Sequence, residues 1–156
     1  RYLINFGIKN AEEIPELGTN AKMNEFEAAM GLCVLDDLQA LHAKRKNVYE
    51  FYKKELEGVV KFQEQNQDST QNYSYFPIIL ENKEQLIKIE KALNLKKIFP
   101  RRYFYPSLDT LTYINPKQYC EASRDISKRI LCLPMYAELN TSIVLRICDI
   151  IKNSLC

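Results

Sequence analysis

Apolar positions recur at roughly helical spacing from Met23 onward: Met23, Phe26, Met30, Cys33, Leu38, Leu41, Val48, Tyr52 and Leu56. That period predicts one long helix over about Glu25–Leu56. Asn24 is a suitable cap, and Glu27 three residues on completes the reciprocal pattern of a capping box. Gly58 is a natural stop. Before the helix, residues 1–22 carry Tyr2, Leu3, Ile4, Phe6 and Ile8 but are punctuated by Gly7, Pro15 and Gly18, so they read as irregular. This apolar content is high for a free tail and predicts a packing partner. Ala28, Ala29 and Gly31 form a small-residue patch. It suits close approach of another helix or subunit, or tight packing within the chain.

Val59, Val60 and Phe62 predict a short strand, and the wholly polar run 63–72 an exposed loop. Tyr75–Leu80 reads as a second strand, with Pro77 placing it at an edge or a bulge. Asn82 caps the next helix, with Gln85 at the capping-box position, to about Asn94. Residues 98–108 form an aromatic and basic extended stretch. Asn115-Pro116 predicts the start of a helix to about Arg129, followed by a strand over Ile130–Tyr136. Asn140 or Thr141 caps a last helix carrying Ile143, Val144, Ile147, Ile150 and Ile151. This order predicts an α/β layered fold, α+β-like in its small domain, with a small, mostly antiparallel sheet covered by helices.

The 156 residues include 22 Lys and Arg against 20 Asp and Glu, a net charge of +2, with 46% hydrophobic residues. That composition suits a soluble globular chain with one core. Near-neutral charge argues against a nucleic-acid binder. The apolar run Ile143–Ile151 is broken by Arg146 and Asp149 and is too short to span a membrane. No signal peptide opens the chain, and no initiator Met, so a piece of something longer is expected. Five cysteines (Cys33, Cys120, Cys132, Cys148 and Cys156) with no C-x-x-C spacing suit buried, reduced thiols in the cytoplasm. His42, the single histidine, lies among Lys44, Arg45 and Lys46 and reads as a surface residue. No metal site is expected, and triad chemistry has little to rest on.

Two segments hold candidate chemistry. Pro100-Arg101-Arg102-Tyr103-Phe104-Tyr105-Pro106 is stiffened at both ends. An extended backbone would present Arg102 and Phe104 on one face and Arg101, Tyr103 and Tyr105 on the other. Guanidinium forks beside tyrosine hydroxyls suit a phosphate- or sugar-bearing ligand. The plain alternative is an edge strand whose arginines pair with acidic neighbours; a single-strand nucleic-acid platform is a weaker one. The second segment, Gly18-Thr19-Asn20-Ala21-Lys22-Met23, precedes the long helix. Helix-start amides and an Asn side chain favour an anion, although Asn20 would also simply shape a turn.

Taken in order, the motifs resemble the DegT/DnrJ/StrS family of sugar aminotransferases. The resemblance lies in Gly18-Thr19-Asn20, then Ala28-Ala29-Met30-Gly31-Leu32, Arg45 and Tyr52, then Arg102-Tyr103-Phe104-Tyr105-Pro106, and finally Leu131-Cys132-Leu133-Pro134-Met135-Tyr136. Asn5-Phe6-Gly7-Ile8 resembles the segment that precedes them. The pattern covers essentially the whole chain. It implies the C-terminal region of a fold-type I enzyme: residues 1–22 a remnant of the large cofactor-binding domain, 23–58 the linking helix, 59–156 the small domain. It also implies pyridoxal 5'-phosphate as cofactor, held as a Schiff base by a lysine upstream of Asn5. No catalytic residue is therefore expected within the chain, which should not transaminate alone.

By the same resemblance Asn20 would reach the cofactor phosphate of the opposite subunit in a homodimer. Arg102, Tyr103 and Tyr105, with Arg101 less firmly, would lie near the nucleotide sugar. The implied reaction moves an amino group from glutamate to a nucleotide-linked keto sugar, a dTDP-4-keto-6-deoxyhexose, for surface polysaccharide. Many family members carry Pro-Leu-His where this chain has Pro106-Ser107-Leu108. The competing class is a non-catalytic small-ligand-binding or regulatory α/β domain.

Overall fold

The computed structural model describes residues 2–116 and 118–155. Its elements run α1 (Glu25–Leu56), β1 (Lys61–Phe62), β2 (Phe76–Ile79), α2 (Lys83–Leu95), a 3-10 turn (Leu108–Thr110), α3 (Glu121–Arg129), β3 (Ile130–Leu133) and α4 (Thr141–Leu155). The chain divides into two compact units, Arg1–Gln39 and Ala40–Cys156, so the division falls within α1.

In the first unit the backbone doubles back on itself. The Thr19 amide donates to the Leu3 carbonyl (2.7 Å), the Phe6 amide to that of Thr19 (3.1 Å) and the Ala21 amide to that of Ile4 (3.1 Å). Gly7 and Gly18 meet at the crossing. A Cβ on Gly18 would sit 2.7 Å from the Tyr2 carbonyl oxygen and closer still to the Gly7 nitrogen, so only glycine fits. The start of α1 is a capping box: the Glu27 amide donates to Asn24 Oδ1 (2.9 Å) and the Asn24 amide to Glu27 Oε2 (3.2 Å). The apolar residues of this unit stay largely uncovered. Leu3, Ile14, Leu17, Met23, Phe26 and Met30 are all exposed.

The second unit is built around a three-stranded antiparallel sheet, ordered β1-β2-β3. Phe76 pairs with Leu133 and Ile78 with Leu131. All four side chains are buried with Val48, Tyr52 and Leu56 of α1, Leu86, Ile89 and Leu93 of α2, and Val144, Ile147 and Ile151 of α4. Each such side chain contributes about 1.5–3 kcal/mol when fully buried. Tyr52 stacks on Phe76, centroids 4.8 Å apart, and burial raises its phenol well above the ordinary value. Gly58 follows α1 at φ 73°, as a helix stop requires. Asn82 Oδ1 accepts from the Gln85 amide (2.9 Å), and Asn140 Oδ1 from the Ser142 amide (2.9 Å), so both helices begin on local caps.

Four expectations change. Pro77 lies in the central strand, neither at an edge nor on a bulge. Opposite it, Cys132 turns both backbone groups to Arg101 on its far side (2.9 and 2.7 Å), so the Pro77–Cys132 pair exchanges no hydrogen bonds. The missing proline N–H therefore faces the β1 side, where pairing has already ended at Phe62↔Ile78. The third helix begins at Glu121 and not at Asn115-Pro116, because Asp109 Oδ2 accepts the Cys120 amide (2.9 Å) and fixes the start from eleven residues away. The cysteines are not uniformly buried: Cys132 and Cys148 are, Cys33 and Cys120 are exposed, and Cys156 lies outside the described residues. Burial pushes the Cys148 thiol up to about 12. His42 is half-buried. No helix among the described residues is long and apolar enough to cross a membrane.

Candidate functional site

β3 ends at Leu133, before Pro134, and leaves an outer edge that, among the described residues, only Arg101 bridges. This single bridge sets the site. The Arg101 and Cys132 backbones exchange two hydrogen bonds, which holds Arg101 over the end of the strand. Beside it lies a cleft of about 300 Å³ lined by Tyr75, Phe99, Arg101, Tyr103, Met135 and Tyr136, with Cys132 also in its wall. The Arg101 guanidinium donates to the Tyr103 hydroxyl. That bond is the main reason the guanidinium is held even more firmly in its charged form. Tyr75 meets Tyr103 edge to face at 5.2 Å. A permanent cation, phenol hydroxyls and exposed ring faces in one cleft are chemically matched to a phosphorylated ligand with a flat or sugar-like body.

Arg102 takes a different course. The chain turns at Tyr103 and Phe104, so the alternation of a straight strand does not persist. Arg102 stacks on the Tyr105 ring, 3.8 Å from its centroid, so these two side chains meet instead of lying on opposite faces. Its Nη2 lies 3.5 Å from the carbonyl oxygens of Ser127 and Lys128 in the last turn of α3. A cation is favoured at that helix end. Its Nε is buried, with no hydrogen-bond partner among the described residues. Arg101 and Tyr103 thus share the cleft; Arg102 and Tyr105 share a stack against α3.

Behind the turn, Asp109 gathers a network that sequence reasoning missed. Its side chain is 8% exposed and pairs with Arg124 Nε (2.6 Å). It accepts from Ser107 Oγ (2.5 Å) and from the Cys120 amide. The Ser107 and Ser123 hydroxyls are 2.7 Å apart. The Ser107 hydroxyl, then the Cys120 amide and Arg124, hold the Asp109 carboxyl down at about 2. Tyr75, Phe99 and Tyr136 also escaped notice as cleft residues. Tyr136 stands within the Leu-Pro-x-Tyr signature, which was the available signal; the other two had none.

Asn20 belongs to the first unit. It is exposed, and its backbone bridges Asn5, whose Oδ1 accepts from Lys22 Nζ (3.2 Å). The Asn20 carboxamide is thus exposed, and its N–H groups are of a type that can donate to a phosphate. Among the described residues, no lysine lines the Arg101–Tyr103 cleft.

Residues 1–152 match the model of the DegT/DnrJ/EryC1/StrS aminotransferase family. The chain is 36% identical over 149 residues to a dTDP-4-amino-4,6-dideoxy-D-glucose transaminase of Shigella dysenteriae, covering 91% of the chain and 41% of that protein. A protein of the same name from Escherichia coli is 33% identical over 156 residues, covering 93% and 42%. Among solved structures, a DegT DnrJ EryC1 StrS aminotransferase from Brucella abortus shares the fold, with a TM-score of 0.84 at 20% identity over 97% of this chain and 41% of that one. The chain thus spans about two fifths of the length of the curated relatives it matches. It belongs to the DegT/DnrJ/EryC1/StrS aminotransferase family.

Proposed function

From that membership, we propose that the chain is the C-terminal, substrate-facing part of a pyridoxal-phosphate-dependent sugar aminotransferase. The whole enzyme would move an amino group from glutamate to a dTDP-linked 4-keto-6-deoxyhexose for surface polysaccharide synthesis, in the cytoplasm. The observation that carries the reading is the 36% identity to a transaminase named for a dTDP-linked 4-amino sugar. When bound, pyridoxal phosphate supplies the electron sink for amino transfer. This chain's own residues do the binding. Asn20 donates to the cofactor phosphate across a homodimer interface, and the turn that runs from Arg101 to Tyr105 forms one wall of the nucleotide-sugar site.

The covalent lysine is assigned to a part of the enzyme outside this chain, so catalysis is not expected from the chain by itself. Incubated with pyridoxal phosphate, glutamate and the keto sugar nucleotide, the purified chain should form no amino sugar; turnover would overturn the assignment. In the whole enzyme, Asn20→Ala should weaken cofactor affinity about tenfold, as loss of a charge-assisted hydrogen bond does. Unchanged affinity would remove Asn20 from the site.

A further inference from the structure

We propose that roles within the Arg101–Tyr105 segment are divided. Arg101 and Tyr103 contact the diphosphate of the nucleotide sugar, while Arg102 and Tyr105 are positioning residues that strap the turn to α3. This deepens the substrate reading above and rests on it.

The two arginines are adjacent in sequence and opposite in surroundings. Arg101 is exposed, lines the cleft and has the Tyr103 hydroxyl as its partner. Its remaining N–H groups are available to a phosphate. Arg102 has its flat face covered by the Tyr105 ring and a terminal nitrogen beside two carbonyls of α3. Its Nε is already out of water. Turning it toward a ligand would forfeit the stack and strand the carbonyls, with no gain that Arg101 does not already supply. The strap has a second buckle. Ser107 and Asp109 tie the far end of the segment to Ser123 and Arg124, near the start of α3. The turn carrying Tyr103 is therefore fixed to one helix from both sides, and the Arg101–Tyr103 pair is held in place before any ligand arrives. Preorganisation of this kind lowers the entropy cost of binding.

The test uses dTDP as the probe on the full chain, with affinity measured across a range of salt concentrations and the fold checked by far-UV circular dichroism. Arg101→Gln should weaken binding about tenfold or more and flatten its salt dependence, because a cation facing the ligand has gone. Arg102→Gln should weaken binding while keeping the wild-type salt slope. Tyr105→Phe, which keeps the ring over Arg102, should bind like wild type, whereas Tyr105→Ala should bind about threefold more weakly. A flattened slope in Arg102→Gln, or equal losses in Tyr105→Phe and Tyr105→Ala, overturns the division and leaves the substrate reading standing. If Arg102→Gln does not fold, the Tyr105 pair decides the matter. No dTDP binding by the wild-type chain overturns the substrate reading itself.

Discussion

α1 is one helix with two fates. From Val48 onward its apolar side chains are buried: Val48, Tyr52 and Leu56 enter the core beside Phe76 and Ile147. At its start the same spacing leaves Phe26 and Met30 uncovered, Phe26 at 90% exposure, and Met23 just before the helix is uncovered too. Periodicity states which face of a helix is apolar; it does not state what covers that face. In the second unit the sheet, α2 and α4 provide the cover. In the first unit, the described residues provide almost none. The stability of the chain is therefore concentrated in residues 40–156, and the first unit is held mainly by its turn hydrogen bonds and the α1 capping box.

Core truncation should break this contrast most visibly if it is wrong. Leu131→Ala should cost about 2–5 kcal/mol in urea unfolding, and Phe26→Ala no more than about 0.5 kcal/mol. Equal losses would show that the first unit has a core of its own. Amide hydrogen exchange sharpens the comparison within the single helix. Protection should rise along α1, low before Gln39 and approaching that of global unfolding near Tyr52. Uniform protection would contradict the division.

Electrostatics separates the units as well. The first holds the Lys9–Glu13 pair, half-exposed on both sides, which should contribute little. The second holds Asp109, whose carboxyl lies near 2 in the folded chain against an ordinary 3.8. Its stabilising contribution is complete above the ordinary value and is lost as pH falls through about 2. Asp109→Asn should therefore remove part of the acid sensitivity of the second unit. What remains should report Asp125, which Arg129 also holds below its usual range. An unchanged acid profile would mean that the network is absent in solution. The smallest contrast concerns caps. Asn82→Ala should cost about 1 kcal/mol of global stability, whereas Asn24→Ala should fray the start of α1 with almost none.

The legibility of the chain follows the same divide between local and distant causes. The caps at Asn24, Asn82 and Asn140 are set by side chains two or three residues from the amides they serve. The sequence pattern therefore reveals them. α3 begins where Asp109 reaches Cys120, and the pattern around Asn115-Pro116 holds no trace of that bond. Pro77 is tolerated in a central strand only because of where β1 stops. At the candidate site, the run from Arg101 to Tyr105 stood out by composition. The partners that separate its two arginines, Tyr75 and Tyr136 on one side and the end of α3 on the other, come from elsewhere in the chain and are visible only once it has folded.

The central claim is that the cleft at the edge of β3 receives the nucleotide sugar. A titration of the isotope-labelled chain with dTDP, followed residue by residue by NMR, tests it most directly. The account predicts saturable shifts centred on Tyr75, Arg101, Tyr103 and Tyr136. Shifts centred elsewhere, or none at saturating dTDP, would contradict it.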